Sequence, residues 1–257
     1  MATRNVNAKA FKSLHQRPNK PLVLPNVWDV LSARAVAELP TSEALATTSF
    51  SVARVAGISD EELTLDLNLA AVRGIAKVAA EFKKPLTVDI QDAYGPDLEI
   101  AINALIDLGV AGINLEDCEL ATGNLYNVEE ASSRIQHVLK IARQRGVSDF
   151  VVNARCDVLI KGWALDEAIS RGKRYLAAGA TTVFVWGGQR GVSRDEVERM
   201  VKEFDGRLAV LATMTPDGLS IRQLAELGVA RVSIGPSLMF AALKTLRNEA
   251  SRLLGQT

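Results

Sequence analysis

The distribution of apolar residues along the chain predicts short buried strands that alternate with amphipathic helices. Eight apolar stretches of strand length are separated by helical stretches, and nearly every one ends in a polar or charged residue. The eight stretches are LVLPN, ALATTS, LTVDIQD, AGINLED, FVVNARCD, TTVFVWGG, LAVLAT and ARVSIG. Eight strand–helix repeats with polar strand ends predict a (β/α)8 TIM barrel whose carboxyl-terminal mouth carries an active site.

The length of 257 residues fits one such barrel, because about 250 residues is typical of this fold. We expect a single α/β domain, with the catalytic barrel spanning residues 20–257. Residues 1–19 are expected to form a lead-in segment in which Phe11 and Leu14 pack against the underside of the barrel. The apolar final helix suits either closure of its own barrel or exchange between subunits, and the sequence leaves both arrangements open.

Helix starts are predicted where a polar capping residue precedes a stretch with helical periodicity. Seven such residues are Asp29, Asp60, Asp97, Asn127, Asp166, Ser193 and Ser220. Two connections at the mouth, residues 51–59 and 118–126, are longer and irregular. Loops on this face of a barrel set its chemistry, so both are candidates for a substrate loop or a lid.

The charge balance argues against nucleic-acid and membrane partners. Thirty Lys and Arg residues equal thirty Asp and Glu residues, so the chain has no basic field for a polyanion. No stretch approaches the roughly 20 apolar residues of a membrane span, and residues 1–18 lack the apolar core of a secretion signal. The two cysteines have neither zinc spacing nor a disulfide pattern. We therefore expect a cytoplasmic protein.

Histidine and cysteine catalysis are not expected. His15 lies in the lead-in segment and His137 on an outer helix face, so both are expected at the surface. A Ser-His-Asp arrangement is therefore disfavoured. Cys118 has no histidine or lysine beside it in the sequence to lower its pKa, and we interpret it as a packing residue.

Several polar residues should converge at the barrel mouth, because strand ends in this fold are fixed in space. They are Asp89, Gln91, Asp92, Glu116, Asp117, Arg155 and Asp157. Asp89 and Glu116, on adjacent strands, would suit Mg²⁺, and Arg155 would suit a carboxylate or phosphonate. The same residues could instead form structural ion pairs or cap helices, and Trp186 could line the pocket or belong to the core.

Six segments together resemble the isocitrate lyase/phosphoenolpyruvate mutase superfamily. The resemblance covers residues 20–250, essentially the whole barrel. The segments are NVWDVLSAR, TTSFSVARVAGISD, VDIQDAYG, GINLED, NARCDVLIKGWALDEAISRGKRYLAAGA and GVARVSIGPSLM. The resemblance implies a barrel that binds Mg²⁺ and a small 2-oxo acid or its enolate, and that breaks the adjacent C–C or C–P bond.

The resemblance also implies roles for individual residues. The family's D-x-D-x-G-Y-G motif falls on residues 89–95, which makes Asp89 a direct metal ligand and Glu116 a second acid that acts through water. Gln91 replaces the motif's second aspartate, and we expect weaker metal binding rather than none. Three groups are alternative candidates for the proton carrier: Tyr94, a metal-bound water and a loop residue.

The substrate residues implied by the resemblance lie on several strand ends. Arg155 matches the arginine that binds the anionic part of the substrate, and Asp60 matches an acid on the family's gating segment. The loop that holds the substrate carboxylate corresponds to Thr48, Ser49 and Phe50. Family members are usually oligomers, so a homo-oligomer, dimer or tetramer, is expected.

Two departures narrow the expected reaction. Isocitrate and methylisocitrate lyases carry a K-K-C-G-H loop, whereas this chain has the short segment CELATGNLYN, so isocitrate lyase activity is not expected. The phosphonate branch carries a histidine at the position of Trp186. We therefore expect C–C cleavage by a lyase or decarboxylase. The alternatives are a C–P mutase or hydrolase, a non-catalytic barrel that binds 2-oxo acids, and an aldolase-type barrel that uses Lys161.

Overall fold

Nine parallel strand segments form the inner sheet of the computed structural model, which describes residues 2–212 and 218–255. They pair in the order β1-β9-β8-β7-β6-β5-β4-β3-β2. The segments are β1 (Leu22–Leu24), β2 (Asn26–Val27), β3 (Leu45–Thr47), β4 (Leu86–Asp89), β5 (Gly112–Glu116), β6 (Val151–Cys156), β7 (Thr182–Val185), β8 (Leu208–Leu211) and β9 (Arg231–Ser233). The predicted strand end at Thr213 lies outside the described residues.

Ten α-helices among the described residues accompany these strands. They are α1 (Ala2–Leu14), α2 (Val30–Ala37), α3 (Ser49–Val55), α4 (Leu65–Glu81), α5 (Leu98–Asp107), α6 (Val128–Gln144), α7 (Leu165–Ala177), α8 (Arg194–Glu203), α9 (Ile221–Glu226) and α10 (Ser237–Leu253). Single 3-10 turns occur at Asp60–Glu62, Gly95–Asp97, Val158–Lys161 and Gly188–Arg190. No helix in these ranges combines the length and apolar character needed to cross a membrane.

The first predicted strand is interrupted at Pro25, and the interruption closes the barrel. β1 pairs with β9 and β2 pairs with β3, so the two halves of this strand join the two ends of the sheet. Asn26 reinforces the closure: its Nδ2 donates to the Thr47 carbonyl at 2.7 Å, and its Oδ1 accepts from the Gly235 amide at 2.8 Å. The predicted (β/α)8 barrel is confirmed.

Side chains alternate between the interior of the barrel and the helix layer, as strand geometry requires. Thr182 points inward, where its Oγ1 donates to Asn153 Oδ1 at 2.6 Å. Its neighbour Val183 points outward to α7. A Cβ added to Gly172 of this helix would lie 3.3 Å from Val183 Cγ1. In register, Glu116 on β5 pairs with Arg155 on β6. Because inward and outward side chains alternate along each strand, every second residue faces the interior, and the last of these reach the mouth.

Helix α1 closes the underside of the barrel, as predicted for Phe11. A Cβ on Gly112, at the start of β5, would lie 2.7 Å from Val151 Cβ and 3.1 Å from Phe11 Cε1, so only glycine admits this approach. The prediction that His15 is a surface residue is wrong. Its Nδ1 donates to the Phe11 carbonyl at 2.9 Å, and burial lowers its pKa to about 3, so it is a neutral packing residue.

Three expected boundaries on the mouth side are also wrong. Asp60 does not open a long helix: it begins a single 3-10 turn, and Thr64 caps α4 instead. Asp166 lies in the first turn of α7 rather than before it. Residues 51–59 are not irregular throughout, because α3 begins at Ser49, almost directly after β3. This early helix start brings the Ser49 amide to the barrel mouth.

Candidate active site

Asp89, the last residue of β4, is held by the start of α3. Its Oδ2 accepts from the Ser49 amide at 3.1 Å and from Ser49 Oγ at 3.2 Å. An amide at a helix start favours a carboxylate, because the first N–H groups of a helix have no partner within it. The second carboxylate oxygen, Oδ1, is buried and has no hydrogen-bond partner. Asp89 thus presents one anchored and one free oxygen.

The turn after β4 is built from left-handed backbone. Gln91, Ala93 and Tyr94 have φ angles of 51°, 62° and 59°, although none of them is glycine. The Asp92 side chain stabilises the turn by accepting from the Tyr94 amide at 3.0 Å and from the Tyr126 hydroxyl at 2.9 Å. Left-handed non-glycine residues are costly and concentrate at functional sites. The motif region of the sequence is therefore also the strained region of the backbone.

Gln91 brings Asp60 to the mouth. Its Nε2 donates to the Asp60 carbonyl at 2.8 Å and to Asp60 Oδ1 at 3.3 Å. These bonds fix the orientation of the amide and leave Gln91 Oε1, which is buried, without a partner. Burial, and next the charge of Asp89, raise the pKa of Asp60 to about 6. Asp60 can therefore gain or lose a proton near neutral pH.

Arg155 lies between two acids on the other side of the mouth. Its Nε and Nη2 bind the two oxygens of Asp157 at 2.7 and 3.0 Å, and its Nη1 binds Glu116 Oε1 at 2.6 Å. Its guanidinium stacks on Trp186, 4.1 Å from the ring centroid. Although burial alone would lower the pKa of Arg155, the charges of Asp157 and Glu116 raise it. The arginine is a fixed cation.

Glu116 has a different electrostatic character. Burial raises its pKa well above the usual range, and the charge of Arg155 opposes this rise. Its side chain is 11% exposed, and one oxygen is used by Arg155. Glu116 is thus a buried acid whose charge depends on the cations around it.

Tyr94 is bound to the same group of residues through α4. Asn68 Nδ2 donates to the Tyr94 hydroxyl at 2.6 Å and to the Asp89 carbonyl at 2.9 Å. Burial raises the pKa of Tyr94 above its ordinary value, so the phenol keeps its proton at neutral pH. Because Asn68 already supplies a donor to the oxygen, the phenol proton is free to bind another acceptor.

Two of the acids predicted at the mouth are structural. Asp92 stabilises the turn after β4, as described above. Asp117 accepts from the Asp157 amide at 2.9 Å and from the Tyr175 hydroxyl at 2.6 Å, and it also pairs with Arg171 at 3.5 Å. These carboxylates are fully occupied by protein donors, so the structural interpretation holds for them.

The segment expected to hold the substrate carboxylate is the start of α3. Thr48 is the extended, buried residue before this helix, and the buried Ser49 binds Asp89 through its amide and its hydroxyl. Phe50 is turned toward the last helix, where it packs edge-on against Phe240 at 5.9 Å. The backbone at residues 48–49 therefore faces the site, whereas the Phe50 ring belongs to the contact with α10.

The loop after β5 is short and partly ordered by pairing. Cys118 and Leu125 form an isolated antiparallel bridge, and residues 121–124 are exposed. The Lys161 ammonium donates to the Gly123 carbonyl at 2.6 Å from an exposed position. This arrangement gives no support to an aldolase-type lysine, because Lys161 serves the rim of the loop.

The oxygen atoms without partners suit a hard divalent cation. Asp89 Oδ1 and Gln91 Oε1 are both buried and both lack hydrogen-bond donors. Mg²⁺ takes one or two carboxylates and fills its other positions with water and substrate oxygens. In the described part of the chain, no three His, Cys, Asp or Glu residues are grouped so that they could hold a metal ion by themselves.

The comparison with known families identifies the barrel. The sequence profile of the family described as Phosphoenolpyruvate phosphomutase matches residues 11–254. The chain belongs to this family. The resemblance predicted from the sequence is therefore confirmed, and the protein is an enzyme of the isocitrate lyase/phosphoenolpyruvate mutase superfamily, whose members include lyases and mutases.

Three relatives in this family cover most of the chain. The uncharacterized protein Rv1998c of Mycobacterium tuberculosis is 35% identical over 88% of this chain and 81% of its own length. Oxaloacetate decarboxylase 1 of Pseudomonas fluorescens is 29% identical over 85% of this chain and 75% of its own. A Burkholderia cenocepacia structure, provisionally described as a phosphonomutase, is 35% identical and superposes with a TM-score of 0.85, covering 97% of this chain and 99% of that one.

Sequence reasoning missed residues that support the site from other elements. Asn68 lies inside a helical stretch and has no local signal that marks it as part of the mouth. Asn114 and Asn153 each stand two residues before a mouth residue, Glu116 or Arg155, and strand parity could have identified them as interior. The single charge in the apolar strand ARVSIG, Arg231, was a further signal.

Proposed function

We propose that the protein cleaves a C–C bond in a small 2-oxo carboxylate, as a lyase or decarboxylase. The supporting observation is that free oxygens of Asp89 and Gln91 and the fixed cation of Arg155 stand on strand ends of one barrel mouth. The decarboxylase relative, which is named for oxaloacetate, makes oxaloacetate the first substrate to test.

Arg155 is the group suited to the substrate carboxylate. A guanidinium has five N–H donors, and Arg155 uses three of them on Asp157 and Glu116, which leaves two. Stacking on Trp186 fixes the plane of the remaining donors. In this role Arg155 binds the anionic group and stabilises the negative charge that develops as the adjacent bond breaks.

Asp89 and Gln91 would hold Mg²⁺, with Glu116 as the second acid. When bound, the ion supplies Lewis acidity toward the oxygens of a 2-oxo acid. Ser49 keeps the Asp89 carboxylate in one orientation, and Asp60 does the same for the Gln91 amide. The chain's own contribution is thus a pair of oxygens oriented before substrate arrives.

Asp60 is the residue best suited to deliver a proton. With a pKa of about 6 it is partly protonated near neutral pH, and the carbon left by C–C cleavage requires a proton. Tyr94, whose raised pKa makes it a weaker acid, is suited to hydrogen bonding of a substrate oxygen. We therefore assign proton transfer to Asp60 and orientation to Tyr94.

If Asp60 is the proton donor, kcat/KM should fall about tenfold per pH unit as the pH rises above about 6, because kcat/KM reports the ionisation of the free enzyme. The reason is that the donor must carry a proton, and its acid form disappears above its pKa. Steady-state rates between pH 5 and 8 measure this limb. An Asp60→Asn variant should be slow with no such limb, and the same limb in the variant would contradict the assignment.

Asp60→Asn should also stabilise the fold at pH 7.5. The folded-state pKa of Asp60 is raised from 3.8 to about 6, so ionisation costs folding free energy that is absent below pH 3.8 and complete above pH 6. The shift corresponds to at most about 3 kcal/mol, and we expect a gain of about 1–2 kcal/mol because the group is partly exposed. Urea unfolding at pH 7.5 and 4.5 measures it.

The matched control for this stability measurement is Glu61→Gln, the same chemical change at the exposed neighbouring residue. We expect no pH-dependent gain from it. An equal gain for Asp60→Asn at both pH values would show that burial of the ionised carboxylate does not limit stability.

C–P bond chemistry is the second candidate, because the matching family is described as Phosphoenolpyruvate phosphomutase. Against it stands Trp186, which lies over the Arg155 guanidinium at the position where the resemblance implies a histidine in the phosphonate branch. An assay panel of oxaloacetate, substituted malates, phosphonopyruvate and phosphoenolpyruvate, each with Mg²⁺ or EDTA, separates the two. Turnover of oxaloacetate supports our proposal, whereas turnover of a malate alone would show cleavage of a hydroxy acid and would contradict the oxo-acid assignment. Phosphonate turnover favours the second candidate, and binding without turnover indicates a non-catalytic barrel.

The last helix suggests how subunits associate. Among residues 237–253, Met239 is the buried side chain, while Phe240, Leu243 and Leu246 are 53%, 48% and 66% exposed. A groove of about 350 Å³ between α2 and α10 is lined mostly by apolar residues, Leu31 and Leu238 among them, with Asp29 and Ser32 also at its wall. We propose that α10 packs on a neighbouring subunit and forms a homodimer or tetramer.

A Leu243→Glu/Leu246→Glu variant should therefore be monomeric. Burial of two carboxylates in an apolar interface is more unfavourable than the apolar contact is favourable. The mass in solution should therefore fall to that of one chain, 27.7 kDa. Light scattering after size exclusion measures it. As a control, Ile100→Glu alters an apolar side chain that is 61% exposed on α5 and should leave the mass unchanged. A wild-type mass of 27.7 kDa would refute the proposal.

A further inference from the structure

Arg231 is a buried cation without a salt bridge inside the barrel. It lies on β9 and is fully buried. Its Nη2 donates to Asn114 Oδ1 at 2.9 Å, while Nε and Nη1 have no partner. Within residues 2–212 and 218–255, no carboxylate lies close enough to form an ion pair with it. The barrel core beneath the mouth therefore contains an arginine whose charge requires compensation.

The immediate surroundings of Arg231 supply dipoles but no charge. Asn114 Oδ1 also accepts from Asn153 Nδ2 at 2.9 Å, and Asn153 Oδ1 accepts from Thr182 Oγ1. Burial lowers the pKa of Arg231 to about 9, so the guanidinium is still a cation at neutral pH. An isolated buried charge is strongly unfavourable unless an opposite charge lies within reach. A counter-charge must therefore come from beyond these neutral residues.

Asp89 is the carboxylate placed to provide it. Asp89 on β4 and Asn114 on β5 are register partners, so their side chains share one face about 5 Å apart. Asn114 anchors the guanidinium of Arg231, which brings the cation toward Asp89. The two groups form no hydrogen bond, so their interaction is one of charge, and the charge of Asp89 opposes the effect of burial on the pKa of Arg231.

We propose that Arg231 is a positioning residue of the active site, which serves as the buried counter-charge of Asp89 from within the barrel. Ser49 fixes one oxygen of this carboxylate from the mouth, and Arg231 attracts the other side of the carboxylate from below. The arrangement restrains the orientation of the Asp89 carboxylate. Its consequence for catalysis rests on the proposed function, whereas the charge pairing itself does not.

A double-mutant cycle tests the pairing without any substrate or metal. The four proteins are wild type, Asp89→Asn, Arg231→Met and the double variant, unfolded by urea in the presence of EDTA. We expect Asp89→Asn to raise the equilibrium constant for unfolding in both backgrounds. The increase should be about tenfold larger in wild type than in Arg231→Met. Equal effects in the two backgrounds would overturn the proposal. If Arg231→Met does not fold, Arg231→Gln removes the charge and keeps a donor for Asn114.

Glu116→Gln provides the matched control, because Glu116 is a buried acid of the same mouth whose partner is Arg155. Its coupling to Arg231→Met should be less than about twofold, and coupling as large as that of Asp89 would overturn the specific pairing.

Repeating the cycle in sodium chloride and sodium gluconate provides a second control. A stabilisation by chloride that disappears in Arg231→Met would assign the counter-charge to a bound anion and also overturn the proposal.

Activity measurements separate this inference from the proposed function. With a substrate found in the panel, Arg231→Gln should lower kcat at least tenfold with a smaller change in KM, because it disturbs a metal ligand and touches no substrate. Unchanged kcat would overturn the positioning role. If the panel yields no turnover, the proposed function fails, and the unfolding cycle still decides the pairing.

Discussion

Replacement of Asp89 by Asn should reduce kcat/KM by about 100-fold to 1,000-fold. The change removes the charge of the carboxylate whose free oxygen is suited to Mg²⁺ and retains its size and its contact with Ser49. Apparent Mg²⁺ affinity should fall with the rate. Steady-state kinetics across a magnesium titration, with Mn²⁺ binding measured by electron paramagnetic resonance, records both quantities.

The control for this variant is Asp166→Asn, the same substitution at a carboxylate that is 75% exposed on α7. It should leave both quantities unchanged. An Asp89→Asn enzyme with wild-type rate and metal affinity would remove Asp89 from the mechanism. Far-ultraviolet circular dichroism must show a folded variant, since loss of this charge also leaves Arg231 uncompensated.

Arg155→Lys should reduce kcat/KM by about 100-fold, through both a higher KM and a lower kcat. Lysine keeps the positive charge but cannot bind both oxygens of Asp157 and Glu116 while also presenting donors to a substrate. It also loses planar stacking on Trp186. Initial rates with oxaloacetate, or with the substrate that the panel identifies, provide the measurement.

Arg174→Lys is the matched control, because Arg174 pairs with Glu129 at the surface and its side chain is 55% exposed. Its stability should change by less than about 0.5 kcal/mol and its kinetics not at all. Arg155→Met would be less informative, because unpaired Asp157 and Glu116 would cost about 3–5 kcal/mol of stability. If Arg155→Lys kept the wild-type KM, Arg155 would not bind the substrate.

The positions of the mouth residues could be predicted because strands that follow one another in this sequence lie side by side and parallel in the barrel. Asp89, Glu116 and Arg155 end three apolar segments, and parallel strands bring such ends to one face. This inference needs no knowledge of side-chain contacts. It could not separate Asp117, which is fully bound by Tyr175 and a backbone amide, from residues with free donors or acceptors.

The rest of the site depends on tertiary contacts that leave no periodic pattern in the sequence. Asp60 looks like a helix cap, yet its segment folds over Gln91 and ends after one turn. Asn68 reaches the mouth from the middle of α4, and the helical pattern there is ordinary. His15 is neutral and buried although its neighbours suggest a surface helix. In each case packing overrides local propensity, which a single sequence does not reveal.

The two rims of the mouth differ in how freely they can change during evolution. The turn after β4 contains several left-handed residues. Tyr126 donates to the Asp92 side chain and Arg134 of α6 donates to the Gly95 carbonyl, so few substitutions fit this turn. The neighbouring rim, residues 121–124 of the loop after β5, is exposed, and it is held by the bridge at its base and by the exposed Lys161 side chain. New substrates can therefore be acquired by remodelling the loop after β5, while the turn that carries the proposed metal ligands stays under constant geometric constraint.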